Sequence, residues 1–194
     1  MTLFSSENLL KKAHDRIKSR AIDAPGTNLL KVGKANQKIQ SVIGQLCQDM
    51  NKHYVSMGDW STHDLLFYLL EQTGPAKVYF TTWAISEYAI RQLHNMIEDG
   101  LILELKGIFD YRNGTRKPAE LQFLQKITTD IKAAKCHAKV TVIINDSWGV
   151  CVVGSANYTR NPRIEANVLC SVRNVAEFHR DWILNELKGE SDFE

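Results

Sequence analysis

The stretch that decides the fold reads Cys-His-Ala-Lys-Val-Thr-Val-Ile-Ile-Asn-Asp-Ser-Trp-Gly-Val-Cys-Val-Val-Gly-Ser-Ala-Asn, over residues 136–157. Two apolar runs, residues 140–144 and 150–153, flank a polar Asn-Asp-Ser-Trp-Gly segment. This pattern predicts a strand, a tight turn and a second strand. If the strands pair as a hairpin, the residues before the first strand lie beside those after the second. The sequence therefore predicts a cluster of polar side chains at the open end of a hairpin.

The polar residues at that open end suit a phosphodiester. His137 and Lys139 are two positions apart along a strand, so their side chains project from the same face. Ser155 and Asn157 stand in the same relation just after the second strand. An imidazole can attack phosphorus, while an ammonium, a hydroxyl and a carboxamide can bind the non-bridging oxygens. These four residues are therefore catalytic candidates.

Their spacing resembles the signature of the phospholipase D superfamily, HxKxxxxD followed by GSxN. His137, Lys139 and residues 154–157 match it. Ile144 stands where the signature has its aspartate, and Asp146 is the candidate to replace that carboxylate. The resemblance implies the layered α/β fold of that superfamily.

Family members also carry an acidic residue shortly after GSxN that hydrogen-bonds the catalytic histidine, and Glu165 matches it. Such a carboxylate fixes the tautomer of the imidazole and raises the basicity of its other nitrogen. The resemblance thus implies a phosphodiesterase that forms a phosphohistidine on His137 and needs no metal or other cofactor.

A second histidine must protonate the leaving group, and in this superfamily it comes from a second copy of the motif. This chain has one copy. We therefore expect a homodimer in which a twofold axis brings the two His137 rings to one composite site. Small single-motif members of the family are built in this way, and their substrates are mostly nucleic acids.

Basic residues elsewhere favour nucleic acid, DNA or RNA, as the partner. Residues 1–50 hold eight Lys or Arg residues against four Asp or Glu residues, although the whole chain has a net charge of only +2. Such a segment is more often a solvated face than a binding site. A basic loop at residues 111–117 could flank a groove, and Trp148 could stack on a base. The candidate substrate-binding residues are Arg112, Arg116, Lys117, Trp148 and Arg160.

The remaining pattern predicts an α/β fold, with a mixed β-sheet covered by helices on both faces and an N-terminal helical extension. We predict a basic helical extension over residues 1–55 and a phospholipase D-like catalytic domain over residues 56–194. Helices are predicted at residues 62–73, 86–99, 118–134 and 175–187, and strands at residues 77–83, 101–108, 136–144, 150–154 and 165–172.

Composition narrows the setting. A chain of 194 residues with 44% hydrophobic content suits one compact domain plus an extension. We expect no membrane partner, because no apolar run is long enough to span a bilayer. The four cysteines lack CxxC spacing, and the first residues lack the pattern of a secretion signal. We therefore expect no bound metal and a cytoplasmic protein with free thiols.

Three functions remain open from the sequence. The first is a metal-independent nuclease that acts as a homodimer. The second is a non-catalytic nucleic-acid-binding protein that keeps the pocket for phosphate recognition. The third is a lipid phosphodiesterase, which is disfavoured because no amphipathic membrane helix stands out.

Overall fold

The chain folds around one mixed β-sheet. The computed structural model describes residues 20–24, 31–32, 39–116, 118–128, 130–160 and 163–189. The strands are β1 (Arg20–Ala24), β2 (Lys31–Val32), β3 (Asn51–Ser56), β4 (Ala76–Thr82), β5 (Ile102–Asp110), β6 (Asp130–Ala134), β7 (Val140–Ile144), β8 (Gly149–Gly154) and β9 (Glu165–Cys170). The helices are α1 (Ile39–Val42), α2 (Thr62–Thr73), α3 (Glu87–Glu98), α4 (Tyr111–Arg116), α5 (Pro118–Ile127) and α6 (Arg173–Lys188).

The strand order is β2-β1-β3-β9-β8-β7-β4-β5-β6. Strands β4, β5 and β6 run parallel to one another, and the other neighbouring pairs are antiparallel. The carboxyl ends of β4, β5, β6 and β8 and the amino end of β7 therefore meet at one edge of the sheet. The β7–β8 hairpin occupies the middle of the sheet, as expected for two strands that are almost entirely apolar.

Strand alternation divides the apolar side chains between the two faces. On β4, Val78 and Phe80 belong to the core that includes α2 and α3, whereas Tyr79 belongs to the core that includes α6. On β8, Val152 lies on the first face and Cys151 on the second. Successive strand residues point to opposite faces, so a strand buried on both sides reads as an unbroken apolar run. The predicted mixed sheet with helices on both faces is confirmed.

Helix α2 shows how a local sequence signal positions the site. Ser61 and Asp64 form a capping box, in which each side chain accepts from the backbone N–H of the other, at 3.3 and 2.9 Å. Gly74 ends the helix with a φ of 76°, a conformation that favours glycine. The hydroxyl of Thr62 donates to the backbone oxygen of Asn157 at 2.9 Å. The start of α2 is therefore tied to the second predicted motif.

One predicted helix is too long. The chain turns after α5 and forms β6 against β5, so the second part of the predicted helix 118–134 is a strand. Ile127 and Ile131 continue the helical spacing of apolar residues, which explains the wrong prediction. The hydroxyl of Thr128 instead donates to the backbone oxygen of Leu105, which ties the chain to β5 at this point.

The N-terminal region also differs from its prediction. Strand β3 pairs with β9 inside the sheet, and β1 pairs with β3, so the part predicted to be a helical extension supplies strands. The boundary predicted at residue 55 falls within β3. The sequence Asn-Lys-His-Tyr-Val-Ser of β3 is largely polar and carries little strand signal; Lys52 is nevertheless buried and donates to the backbone oxygen of Ile43 at 2.6 Å. Most of the basic residues before β3 lie outside the described residues.

A glycine on β5 allows close packing between neighbouring strands. Gly107 lies opposite Phe80 in the β4–β5 register. A Cβ atom at Gly107 would lie 2.4 Å from Cε1 of Phe80, whose side chain is fully buried. The position therefore has no room for a side chain unless the ring moves.

We expect Gly107→Ala to lower the free energy of unfolding by about 1–3 kcal/mol, the usual cost of overpacking a core. Phe80→Leu in the same chain should recover part of the loss, because it removes the ring atoms that meet the new methyl group. Denaturant unfolding of the two single variants and the double variant measures this coupling. Simple additivity of the two single effects would contradict the proposed contact.

Candidate active site

The open end of the β7–β8 hairpin brings the catalytic candidates together. The backbone N–H of Gly154 donates to the backbone oxygen of Lys139 at 3.2 Å, so the segments before β7 and after β8 run side by side. His137 is exposed, and Nζ of Lys139 lies 3.3 Å from each of its ring nitrogens. An ammonium can donate a hydrogen bond only to a ring nitrogen that carries no proton. Such a nitrogen is also the one that can act as a nucleophile. The two motifs therefore share one site.

Partial burial changes the acid–base behaviour of Lys139. Removal of its ammonium from water lowers the pKa of Lys139 below its ordinary value, while Cys136 and Glu165 oppose this effect. The ammonium also donates to the backbone oxygen of His137 at 2.7 Å, which holds it at the open end. A cation that is partly removed from water interacts more strongly with a phosphate than a cation in bulk water does.

Ser155 and Glu165 form a contact that differs from the prediction. The Ser155 hydroxyl donates a short hydrogen bond to Oε2 of Glu165 and accepts one from the backbone N–H of Ala166 at 3.1 Å. Glu165 is predicted to bond His137, but these two described residues form no hydrogen bond, and the His137 ring contacts Lys139 instead. Because β9 pairs with β8, Ala166 lies across from Ser155, and the neighbouring Glu165 is within reach of the hydroxyl.

Asn157 has one end of its carboxamide committed to the fold. Its Oδ1 accepts three hydrogen bonds, from the Thr82 hydroxyl at 3.2 Å and from the backbone N–H groups of Trp83 and Ala84 at 3.1 Å each. These bonds fix the turn that follows β4. The Nδ2 group carries two donors, so it is the end of Asn157 that can meet a phosphate oxygen.

Steric crowding explains why a glycine, Gly154, precedes Ser155. A Cβ atom at Gly154 would lie 2.0 Å from Oδ1 of Asn167, which is buried on β9. The same Oδ1 accepts from the backbone N–H of Ala156 at 3.4 Å. The Gly-Ser-Ala-Asn turn therefore sits tightly on β9, and its two polar side chains are presented from a fixed backbone.

Three residues that the sequence did not mark as a group extend the site toward β4 and β5. The ring centroids of Trp83 and His137 are 6.3 Å apart. The guanidinium carbon of Arg112 lies 5.8 Å from the centroid of Trp83, within the range of a cation–π contact. Arg112 in turn donates to both carboxylate oxygens of Asp110, at 2.7 and 3.3 Å. A chain of contacts thus links the end of β5 to His137.

The sequence carried a signal for Asp110, because it is the charged residue that follows the apolar Ile108 and Phe109 at the end of a strand. Its side chain is only 2% exposed, and the Arg112 guanidinium holds the pKa of Asp110 below its ordinary value. Arg112 is predicted to bind substrate from a loop, but the structure has helix α4 in place of this loop. The buried carboxylate of Asp110, at the end of β5, anchors the Arg112 side chain.

The hairpin turn lies at the opposite end of the strands. Asp146 and Trp148 lie at the turn, which is roughly 20 Å from Lys139 along strand β7, since a strand rises about 3.3 Å per residue. The backbone oxygen of Asp146 accepts from Arg173 at 2.9 Å, and Trp148 packs against the core. These placements correct two predictions, because neither residue can reach a phosphate at the open end. A turn is remote from the open end of its own hairpin.

Asn145 holds the turn. Its Oδ1 accepts from the backbone N–H groups of Ser147 and Trp148, at 3.0 and 2.8 Å. Its Nδ2 donates to the backbone oxygens of Thr73 and Pro75, at 2.9 and 3.1 Å. A neutral amide can make both kinds of bond, whereas a carboxylate can only accept. The anchoring of this turn to the segment after α2 therefore rests on Asn145.

The remaining basic candidates are less tightly placed. Arg116 is exposed on α4, and Arg160 is exposed after the second motif. Burial lowers the pKa of His63, and the positive charge of Arg160 adds to that effect, so Arg160 is near the start of α2. Lys117 lies outside the described residues.

No group of three or more His, Cys, Asp or Glu side chains among the described residues could hold a metal ion. None of the helices they form combines the length and the apolar character needed to cross a membrane.

No protein-family model matches the chain, and no curated protein matches it in sequence. Among solved structures, polyphosphate kinase from Porphyromonas gingivalis aligns with 71% of this chain and 26% of its own, at 14% identity and a TM-score of 0.51. Nuc, a phospholipase D family member from Salmonella typhimurium, aligns with 60% of this chain and 81% of its own, at 16% identity and a TM-score of 0.49.

A third neighbour is TrmBL2, an archaeal chromatin protein, at 9% identity and a TM-score of 0.45, over 71% of this chain and 52% of its own. At these identities the likeness to polyphosphate kinase shows a shared fold. The arrangement of His137, Lys139, Ser155 and Asn157 is what defines the site: an imidazole beside an ammonium, with a hydroxyl and a carboxamide on the adjoining turn.

We expect Asp110→Asn to lower the free energy of unfolding by about 1–3 kcal/mol at neutral pH, because it weakens a buried charge-assisted pair. The carboxyl pKa of Asp110 is depressed in the folded protein, so this contribution is present above the unfolded value of about 3.9 and is lost as the pH falls below it. Urea unfolding of both proteins between neutral and acid pH measures the difference.

The matched control is Asp99→Asn, at an exposed acid that ends α3. It should change stability little at any pH. A difference between wild type and Asp110→Asn that stays constant on acidification would contradict a role for the ionised carboxylate.

Proposed function

We propose that this protein is a metal-independent phosphodiesterase of the phospholipase D type, and that it is a nuclease. One observation carries the proposal: the exposed His137 ring has the Lys139 ammonium 3.3 Å away, at the open end of the hairpin that also presents Ser155 and Asn157. These groups satisfy the needs of phosphoryl transfer, which are a nucleophile and fixed donors for the charged oxygens. The fold shared with polyphosphate kinase agrees with phosphoryl-transfer chemistry.

The proposed reaction has two displacements. A nitrogen of His137 attacks phosphorus, the ester bond to the leaving oxygen breaks, and that oxygen takes a proton from a general acid. Water then attacks the phosphohistidine, gives a proton to the same group and releases the phosphomonoester end. Lys139 and Nδ2 of Asn157 stabilise the charge that grows on the non-bridging oxygens, and the Ser155 hydroxyl joins them when its one hydrogen turns from Glu165 to the phosphate. Glu165 acts on the site through its bond to Ser155.

The general acid is proposed to be His137 of a second subunit. The other histidines of the described chain are elsewhere: His63 is buried and bonded to Ser61, and His53, His94 and His179 lie on β3, α3 and α6. A twofold axis close to His137 would place two identical rings on either side of one phosphate. The exposure of His137 is what permits such an arrangement.

Nucleic acid is the proposed substrate class. The anchored Arg112 guanidinium and the Trp83 ring lie beside His137, and a fixed cation next to an aromatic ring suits a backbone phosphate with its attached base. Arg116 on α4 adds a second exposed positive charge at the same edge of the sheet.

We expect the protein to cleave plasmid, single-stranded DNA or RNA in the presence of EDTA, and His137→Ala to abolish this cleavage by removing the nucleophile. The control is His53→Ala, at an exposed histidine on β3, which should cleave normally. Gel assays of all three substrates measure the outcome. If the wild-type protein binds nucleic acid and leaves it intact, the protein is a non-catalytic nucleic-acid-binding protein and the proposed nuclease activity is wrong. Release of phosphatidic acid from vesicles, without nuclease activity, would indicate a lipid phosphodiesterase.

Subunit mixing tests the composite site. If one active site needs two His137 rings, an equal mixture of wild-type and His137→Ala subunits, after random exchange, should retain about a quarter of the activity. Independent sites would retain about half. Light scattering on the same samples should show a dimer. Activity proportional to the wild-type fraction would contradict the composite site while leaving His137 as nucleophile.

The lowered pKa of Lys139 predicts a pH dependence. The ammonium is present below its pKa and is lost as the pH rises through it, so activity should fall at a lower alkaline pH than for an ordinary lysine. Lys139→Arg keeps a charge at all these pH values. It should reduce turnover and remove the alkaline fall, whereas Lys77→Arg, at an exposed lysine on β4, should alter neither. An unchanged alkaline limb in Lys139→Arg would assign the titration to another group.

A further inference from the structure

A large cleft opens beside His137 on the α6 face of the sheet. Its volume is about 870 Å³, within the range of small-molecule sites. One wall is the segment that leads into β7, including Cys136 and His137, and the other is α6. Phe178 and Trp182, one turn apart on α6, line it, and the Phe178 side chain is 65% exposed.

The two carboxylates that line this cleft are paired within the protein, and Lys135 adds an exposed positive charge to its wall. Asp181 bonds Arg180 at 2.7 Å, and Glu186 bonds Lys132 at 2.8 Å. The indole N–H of Trp182 donates to Nδ1 of His179 at 3.0 Å, which fixes the indole ring. The α6 wall of the cleft is therefore mainly aromatic, in contrast to the cationic surface at Lys139.

The cleft and the surface at Lys139 therefore suit different parts of a nucleotide. The phosphate is anionic and suits Lys139, whereas a base is planar, uncharged and suited to stacking on aromatic side chains. His137 lines the cleft, and its ring lies 3.3 Å from Nζ of Lys139, so the proposed phosphate-binding group is next to the cleft. A ligand with an aromatic group attached to a phosphate could occupy both at once.

We propose that the cleft between α6 and the segment before β7 binds the nucleobase next to the scissile phosphate, with Phe178 and Trp182 as the stacking surface. This inference rests on the proposed function and specifies its substrate: the chain should prefer phosphodiesters that carry a nucleoside. The polar groups Asn185 and Asp181 at the rim offer hydrogen bonds to base edges.

Two other occupants are possible outcomes of the test. An acyl chain would also use the apolar walls, but it would leave the carboxamide of Asn185 at the rim without a partner. A second copy of the chain would bury Phe178 in a dimer interface. The aromatic wall, the polar Asn185 and the adjacent Lys139 together favour the base.

The test compares two substrates with the same leaving group. Thymidine 5′-(p-nitrophenyl phosphate) carries a nucleoside, and methyl p-nitrophenyl phosphate has a methyl group in its place. Phe178→Ala should raise KM for the nucleoside substrate by about tenfold or more, since it removes one stacking partner. It should leave hydrolysis of the methyl ester unchanged. Phe178→Tyr should restore the preference, and Phe67→Ala, at an exposed phenylalanine on α2 outside the cleft, should change neither.

Binding of thymidine itself, followed by calorimetry, separates this inference from the proposed function. Phe178-dependent binding without hydrolysis of either ester would keep the base site and overturn the enzyme. Hydrolysis of both esters with equal effects of Phe178→Ala would overturn the base site and keep the enzyme. Loss of the dimer together with both activities in Phe178→Ala would identify the cleft as a subunit interface. Phe178-dependent hydrolysis of a short-chain phosphatidylcholine, with no nucleoside preference, would identify an acyl site.

Discussion

The register of the β7–β8 hairpin is the constraint on which the rest of the site depends. The bond from the Gly154 N–H to the Lys139 carbonyl closes the hairpin at its open end and sets the two motifs side by side. A slip of one residue would turn every side chain of a strand to the other face. Both strands are buried on both faces, between the α2–α3 core and the α6 core, so the sheet around them holds this register.

The polar groups at this edge are held by neighbours with defined roles. Asn157 uses its carbonyl on the turn after β4, Ser155 uses its hydroxyl on Glu165, and Arg112 is bonded to Asp110. For Asn157 these bonds leave the two Nδ2 donors for a ligand, whereas the single hydrogen of the Ser155 hydroxyl is donated to Glu165. Such preorganisation matters for phosphoryl transfer, because donors that are already oriented need not rearrange as charge develops. The indole ring of Trp83 connects the Arg112 side to the His137 side.

Predictions from local patterns succeeded where one physical cause dominates. The helical spacing of apolar residues predicted α2, and two apolar runs around a polar turn predicted the hairpin. They failed where distant partners compete. Ile131 continues a helical pattern but joins β6 because β5 offers an unpaired edge, and β3 forms from polar residues because β9 pairs with it. Backbone pairing with a neighbouring strand can outweigh the preference of a short segment.

By itself the sequence determined the α/β class, the hairpin and the four polar residues at its open end, because these depend on spacing along a short segment. Only the tertiary structure decided which partner each residue has. Glu165 bonds Ser155 because β9 pairs with β8. Trp148 packs against the core at the hairpin turn, and the length of the strands separates this turn from the site. Asp110 and Trp83 join the site because β4 and β5 end at the same edge of the sheet, a juxtaposition of residues more than twenty positions apart that no local pattern records.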